Sequence, residues 1–169
     1  MKSLNIELDA TSVPKTDKKA WFGWIRFILF LAILYFLIHY GIGIKIVNGD
    51  SMNPTLHDKG IFVVNKVFFK PERGDIVVVK DPDGFDIVKR IIGLPNDRVK
   101  ISDGVVYLNG QPLNEPYIKG KALNMDEVTV EEGKYFIMGD NRTPGESLDS
   151  RDPSIGTILE KNIVGGKMF

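Results

Sequence analysis

The chain has 169 residues, with 22 basic and 22 acidic side chains and no cysteine. This length suits one compact domain with a short appendage rather than two independent cores, and the balanced charge argues against a nucleic-acid partner. Without cysteine the chain has no disulfide, thiolate metal site or cysteine nucleophile, and with only His39 and His57 a histidine-built metal centre is not expected. No cofactor is implied.

The N-terminal segment predicts a polar tail followed by a membrane span. Residues 1–20 are polar and lack apolar periodicity, so a disordered tail is expected there. Residues 21–44 are predicted to form a transmembrane helix, because the 18 residues 27–44 are almost entirely apolar and would span about 27 Å as a helix. Trp21 and Trp24 lie where an aromatic belt would meet the headgroups.

Basic residues are distributed unevenly around this predicted span. Lys15, Lys18 and Lys19 precede it, whereas only Lys45 and Lys59 occur in the twenty residues after it. The positive-inside rule therefore places the N-terminus in the cytoplasm and residues 45–169 outside, as an extracytoplasmic domain in a single-pass protein of the cell membrane.

The apolar segment has two alternative interpretations besides a membrane anchor. A cleaved signal peptide would use the small-x-small site Gly41-Ile42-Gly43, but Ile44 and Ile46 continue the apolar run beyond it. A buried core helix would show one-sided rather than continuous hydrophobicity. An anchored domain is therefore the preferred interpretation.

The remainder of the chain is predicted to be mainly β, as a small barrel or two packed sheets. Short β-branched runs at 61–68, 75–79 and 87–92 are bounded by Gly, Pro and Asp. Asp103-Gly104 and Asn109-Gly110 are two successive hairpin signals, which predict a three-stranded meander. Further strands are predicted at 98–102, 105–108, 111–113, 128–130, 135–138, 156–159 and 163–169. No long amphipathic helix is indicated after residue 45.

Ser51, soon after the apolar run, is the first candidate for chemistry. A serine is a nucleophile only when a neighbouring base removes its proton, and an isolated loop serine is more often a cap or turn residue. His57 lies in a polar turn without an evident orienting carboxylate, and His39 lies in the predicted span. Neither histidine makes a persuasive Ser-His-Asp triad.

Lys89 is the better candidate base. In strand register it shares a face with Ile87 and Ile91, which is a largely apolar environment. Desolvation that moves a lysine pKa from about 10.4 to between 7 and 8 costs about 3 to 5 kcal/mol, which a fold rarely carries without a use. The alternative is a lysine that snorkels at a sheet edge. We expect Lys89 to be the general base for Ser51 in acyl transfer.

Four sequence blocks occur in order: Gly49–Leu56, Arg73–Val78, Val88–Pro95, and Gly139–Arg142 with Ser147–Arg151. Each alone is unspecific, but together they resemble the bacterial type I signal peptidases, membrane-anchored Ser-Lys proteases that remove signal peptides from exported proteins. The resemblance covers nearly the whole chain after residue 20. It implies a β-rich protease domain of that type, in the minimal form of the family, with preproteins and the lipid bilayer as partners; no oligomer is indicated.

The resemblance also implies roles for individual residues. Ser51 would be the nucleophile, Lys89 the base, and Ser147 the second serine that hydrogen-bonds and orients the lysine amine. The Ser51 N–H would bind the oxyanion, and because Gly49 stands where some relatives carry a hydroxyl, a second donor would come from the main chain. The family's ion-pair scaffold would correspond to Asp140, Arg142, Asp149 and Arg151.

The expected substrate is an extended signal peptide that is cleaved after a small-x-small motif. It would lie beside the strands around Val47 and from Asp86 to Val88, with shallow pockets near Met52, Leu56 and Val88.

Two departures from the family pattern affect this reading. Thr143–Glu146 supplies four residues where two usually stand before the second serine, which either moves Ser147 or bulges outward, and Asn96 replaces a common Gly. A catalytically silent relative that acts as a binding or assembly module therefore stays open as an alternative. A self-cleaving repressor on the same Ser-Lys fold is disfavoured by the predicted span.

Overall fold

The computed structural model describes residues 18–67 and 69–168. The chain divides into two compact units, 1–36 and 37–169. Its elements are one long helix, α1 (Lys18–Gly41), and the strands β1 (Ile42–Ile46), β2 (Ile61–Asn65), β3 (Ile76–Lys80), β4 (Asp86–Gly93), β5 (Arg98–Ser102), β6 (Val105–Leu108), β7 (Gln111–Pro112), β8 (Met125–Thr129), β9 (Lys134–Met138), β10 (Ile158–Leu159) and β11 (Ile163–Lys167). A short 3-10 helix, Glu160–Asn162, precedes β11. Within the described residues this confirms the predicted mainly β fold with one N-terminal α-helix.

The helix α1 contains a stretch that is long and apolar enough to cross a membrane, Trp21–Gly41, with a mean hydropathy of 2.1. Most of its described apolar side chains are exposed, as Trp24 and Phe30 illustrate, and Ile25 is half-buried. The predicted tail lies outside the described residues up to residue 17, and residues 18–20 form the first turn of α1.

The predicted span of 21–44 overruns the helix at its C-terminal end. The helix stops at Gly41, and β1 follows immediately. Gly is a poor helix former and Ile favours strands, so this glycine-spaced isoleucine run pairs with β2 instead of extending the helix. Gly43 pairs with Val64 inside the sheet. Cleavage at the small-x-small site would therefore cut into the domain's first strand, which argues against a removable signal peptide.

The strands form two antiparallel sheets. The larger has the order β1-β2-β11-β3-β4-β9-β10, and the smaller has the order β7-β6-β5-β8. The predicted meander is confirmed: β5 pairs with β6 and β6 with β7. All four turn residues have positive φ, at 53° for Asp103, 81° for Gly104, 52° for Asn109 and 81° for Gly110. This is the conformation that type I′ hairpins require.

The core that joins the two sheets also positions the functional region. Phe136 and Met138 of β9 and Ile92 of β4 pack in one buried cluster with Val99 and Ile101 of β5. This packing fixes β4 and β9 side by side, with Arg90 opposite Met138. The chain leaves β9 directly into residues 139–151, which belong to the last of the four sequence blocks.

Candidate active site

Strand β4 brings Lys89 to the nucleophile candidate. Lys89 lies opposite Val77 of β3, in the interior of the larger sheet, and only 4% of it is exposed. Its Nζ lies 2.9 Å from Ser51 Oγ and 3.0 Å from the carbonyl oxygen of Val88. The structure therefore brings together the two predicted catalytic side chains, which are 38 residues apart in sequence.

Burial sets the protonation of this amine. Desolvation lowers the pKa of Lys89 from 10.5 to about 8, while the carboxylates of Asp149 and Asp140 partly oppose the shift and Arg151 adds to it. About one-tenth of the amines are then neutral at pH 7, and most are neutral at pH 9. A neutral amine at hydrogen-bonding distance can accept the Ser51 proton.

The loop that carries Ser51 is held by Asn141. The Asn141 N–H donates to the Ser51 carbonyl at 3.0 Å, and its side-chain Nδ2 donates to the Asp50 carbonyl at 3.2 Å. A turn in which the Leu56 N–H donates to Met52 O closes the loop from within. Asn141 was not singled out by sequence reasoning; its position beside Asp140 in the fourth block was the available signal.

Of the two predicted oxyanion donors, one is free and one is occupied. The Ser51 N–H has no acceptor among the described residues, so it is available to a developing oxyanion. The Gly49 N–H donates to Asp58 Oδ1 at 2.8 Å, which holds the pKa of that carboxyl below its usual value. Gly49 could serve as a second donor only after this bond is broken.

Ser147 lies close to Ser51 but does not form a hydrogen bond with Lys89. Its Oγ donates to Asp149 Oδ2 at 2.7 Å, and the bonds of Lys89 Nζ to described residues run to Ser51 and Val88. Ser147 and the Ser51 backbone can both pack against residue 139 because it is Gly. A Cβ there would lie 2.3 Å from Ser147 Oγ and 2.4 Å from the Ser51 carbonyl oxygen. The Ser147 oxygen can still accept a bond from the lysine amine, and its orienting role stays a prediction.

Asp149 organises the segment around Ser147. Arg151 binds it through Nε at 2.8 Å and Nη2 at 2.7 Å, and the Gly139 N–H donates to it at 2.9 Å. Burial alone would raise the pKa of Asp149, but the bonds and charge of Arg151 outweigh it and hold that pKa below its usual value. Asp149 is therefore a fixed negative charge near Lys89.

Asp140 ties three elements of the site together. It is fully buried and receives Arg90 Nε at 2.8 Å and Nη2 at 2.5 Å. Thr55, in the loop that carries Ser51, donates to Oδ2 at 2.5 Å, the oxygen that also accepts Arg90 Nη2. The Arg90 guanidinium also lies 3.9 Å from the ring centroid of Tyr117. Arg90, which follows Lys89 directly, thereby anchors β4 to the loops on either side.

Arg142 is paired with a residue that sequence reasoning missed. Its guanidinium is fully buried and binds both carboxylate oxygens of Glu115, while its Nε donates to the Gly139 carbonyl at 2.8 Å. The segment that follows Glu115 is hydrogen-bonded to the loop that carries Arg142. The Lys119 N–H donates to the Asp140 carbonyl at 2.9 Å, and the Arg142 N–H donates to the Lys119 carbonyl at 2.7 Å.

The insertion forms a compact exposed turn. Residues 143–146 are all exposed, and the Glu146 N–H donates to the Thr143 carbonyl at 3.1 Å. Ser147 remains beside Gly139, so the extra residues bulge outward. Asn96 adopts the left-handed conformation with φ 72°, as expected where Gly is common.

The predicted substrate-binding residues differ in how accessible they are. Val47 is buried, and its N–H and C=O are bonded to Gly60 and Lys59, while Met52 is fully buried. Val88 and Leu56 are half-buried and pack against the cluster that contains Val47. Val47 and Met52 can therefore shape the floor of a cleft but offer no open backbone or pocket surface.

Strand β4 has an open edge next to Lys89. Strand β9 pairs with it only from Arg90 onward, so Asp86 to Val88 are unpaired on that side among the described strands. Asp86 forms ion pairs with Lys45 at 2.5 Å and Lys80 at 3.1 Å. No group of three or more potential metal-ligating side chains was found among the described residues.

Comparisons with known proteins converge on one family. A family model described as signal peptidase, peptidase S26, matches residues 21–169. Signal peptidase I of Bacillus licheniformis is 39% identical across 94% of this chain and 93% of its own length, and signal peptidase I T of Bacillus subtilis is 38% identical across 94% and 91%. A signal peptidase I structure from Enterococcus faecalis is 32% identical with a TM-score of 0.50, and the match covers 57% of this chain and 96% of that one.

The buried amine should cost stability. Because the pKa of Lys89 is about 8 when folded and 10.5 when free, the unfolded chain binds more protons between these values, and stability rises with pH across that window. Lys89→Met should therefore raise the free energy of unfolding at pH 7 by up to about 3 kcal/mol. The gain should disappear as the pH rises from 8 to 10.5.

Unfolding of the full-length chain in detergent micelles at a series of pH values measures this difference. The control is Lys100→Met on an exposed position of β5, which should change stability at pH 7 by less than about 0.5 kcal/mol. A Lys89→Met variant that is no more stable than the wild type at pH 7 would contradict the cost of burial.

The buried Glu115–Arg142 pair should matter far more than an exposed pair of the same type. Glu115→Ala leaves a buried guanidinium unpaired and should destabilise the protein by about 3 kcal/mol or more, as measured by thermal unfolding. Glu127→Ala removes the exposed partner of Arg98 and should cost less than about 1 kcal/mol. Equal effects of the two variants would mean that Glu115 does not anchor the loop.

Proposed function

The chain belongs to the signal peptidase family, peptidase S26, and we propose that it removes N-terminal signal peptides from exported preproteins with Ser51 as nucleophile and Lys89 as general base. Membership of the family implies a serine endopeptidase. The observation that carries the assignment of the two residues is the 2.9 Å distance from Lys89 Nζ to Ser51 Oγ, in a site where the amine is almost completely buried.

The reaction begins when the neutral Lys89 amine accepts the Ser51 proton as Ser51 Oγ attacks the scissile carbonyl. The N–H of Ser51 stabilises the oxyanion of the tetrahedral intermediate. When the carbon–nitrogen bond breaks, the Lys89 ammonium returns the proton to the leaving amine, and the signal peptide remains as an ester on Ser51. Lys89 then takes a proton from the attacking water, and a second collapse releases the signal peptide and regenerates the Ser51 hydroxyl.

The open edge of β4 supports an extended substrate. In an antiparallel strand the N–H and C=O of one residue point to the same edge. The Val88 carbonyl accepts a hydrogen bond from Lys89 Nζ, which shows that it points toward the site. A signal-peptide backbone can therefore pair along Asp86 to Val88 by strand addition. Val88 and Leu56 line the place where small side chains would be accepted, over a floor that contains Val47 and Met52.

The helix α1 would anchor the enzyme with its N-terminus in the cytoplasm and residues 45–169 on the outer side. The support is the apolar stretch Trp21–Gly41 and the excess of lysines before it. Anchoring restricts enzyme and membrane-held preprotein to one surface, which raises their effective concentration.

A catalytically silent module is the less favoured function. Its only sequence support was the insertion before Ser147, and residues 143–146 turn outward while Ser51 and Lys89 stay in contact. The self-cleaving repressor is likewise disfavoured, because it offers no role for a membrane-length helix.

Cleavage of a preprotein by the full-length enzyme in detergent tests the proposal. The wild type should cleave after a small-x-small motif, and Ser51→Ala and Lys89→Ala should each lower kcat by at least about 1,000-fold. The wild-type rate should rise with pH through an apparent pKa of about 8, because only the neutral amine is a base.

Lys100→Ala, on an exposed position of β5, serves as the matched control and should retain wild-type cleavage. Full activity of Ser51→Ala or Lys89→Ala would contradict the mechanism. An inactive wild type would favour the catalytically silent binding module. A rate with no rise between pH 7 and 9 would exclude Lys89 as the base.

A further inference from the structure

A groove of about 300 Å³ lies next to Ser147. The proton transfer proposed between Ser51 and Lys89 does not involve this groove. Its walls include apolar and polar side chains: Leu123, Met125, Pro144, Ser147, Arg151 and Asp152. Ser147 Oγ and the Ser51 carbonyl oxygen flank Gly139, where an added Cβ would lie 2.3 Å from the first and 2.4 Å from the second. The groove that Ser147 lines is therefore close to Ser51.

The pairing of β4 determines where a bound substrate must go. Strand β9 occupies the edge of β4 from Arg90 onward, with Arg90 opposite Met138. A substrate strand seated on Asp86 to Val88 therefore cannot continue along the sheet past Lys89. It has to leave the sheet at the end of β9, and the residues that border this exit are Gly139 and Ser147.

The two walls of the groove are connected to each other. The Arg142 N–H donates to the Lys119 carbonyl at 2.7 Å, and Gly120 packs so tightly on Thr143 that a Cβ at Gly120 would lie 2.3 Å from Thr143 Oγ1. The wall that carries Leu123 is also held at Asn124, whose Oδ1 accepts the Asp103 N–H at 2.8 Å. The groove is therefore formed before any ligand arrives, as small-ligand and peptide sites usually are.

Two residues that line the groove are apolar and exposed. Leu123 is 69% exposed, and Pro144 projects from the exposed turn of residues 143–146. Arg151, which also lines the groove, is already paired with Asp149. An aliphatic side chain between Leu123 and Pro144 would cover apolar surface that is now in contact with water.

We propose that this groove receives the first residues of the mature chain, just after the scissile bond, and favours an apolar side chain among the second to fourth of them. The inference rests on the proposed function, since it assigns the leaving-group side of the same site. The insertion at 143–146 builds one wall, so the usual two-residue spacing would shorten that wall.

A set of peptides with one common signal-peptide end tests this selectivity. The mature side is Gly and Ser throughout, except for a single Leu, or Asn as its polar match, at the second, third or fourth position after the cut. With the full-length enzyme in detergent, Leu at one of these positions should raise kcat/KM about fivefold over Asn, as expected for partial burial of one aliphatic side chain.

Three variants locate the effect. Leu123→Ser should bring the Leu-to-Asn ratio of kcat/KM close to one, whereas Leu123→Met, which keeps an apolar side chain, should preserve it. Leu159→Ser changes another exposed leucine, in β10, and should also preserve the ratio.

The possible failures are distinguishable. Cleavage of every peptide with the same kcat/KM by the wild type, or an unchanged ratio in Leu123→Ser, overturns the groove assignment and leaves the proposed function standing. Failure of the wild type to cleave any of the peptides and a full-length preprotein overturns the proposed function, and the groove assignment with it.

Discussion

Burial of one lysine amine is the constraint on which the rest of the site depends. An ammonium removed from water is destabilised, so its pKa falls until the neutral form is accessible near physiological pH. At Lys89 that pKa is about 8, so the amine proposed as the base is made available at the expense of folding stability. The neighbouring carboxylates must be close enough to shape the loop without restoring the ordinary lysine pKa.

The arrangement of charges around Lys89 meets this requirement. Asp140 and Asp149 are both buried, but each is engaged by its own arginine, Arg90 and Arg151. A carboxylate neutralised by a bidentate partner exerts a weaker field on a third group than a free one would. The two ion pairs can thus hold the loop that carries Ser51 and the segment that carries Ser147 in place while Lys89 keeps its lowered pKa.

The parts of this structure that local patterns encode were predictable. Alternating β-branched residues and the two turn dipeptides Asp103-Gly104 and Asn109-Gly110 predicted strands and hairpins that the structure contains, because both signals act over a few residues. Lys89 was recognisable because its strand neighbours on the same face are apolar. In the structure it lies against Ser51.

Features that depend on distant contacts had no local signal. Glu115 reaches Arg142 across 27 residues, and its carboxylate looks like any surface acid in sequence. The predicted span took in residues 42–44 of β1, because isoleucines suit both a membrane helix and a strand and only pairing with β2 decides between them. The hydrogen bond from the Gly49 N–H to Asp58 could not be predicted either, because it forms only when the loop between the two residues folds back on itself.

The most direct measurement of the central claim is an NMR titration of the Lys89 ε-amine in the full-length protein in detergent micelles. Selective labelling of lysine, with Lys89→Met to assign the resonance, isolates this one group. The account predicts a pKa of about 8, with the other amines titrating separately. A Lys89 pKa at the ordinary value of 10.5 would mean that the amine is solvated and charged at neutral pH, which would contradict its role as the base.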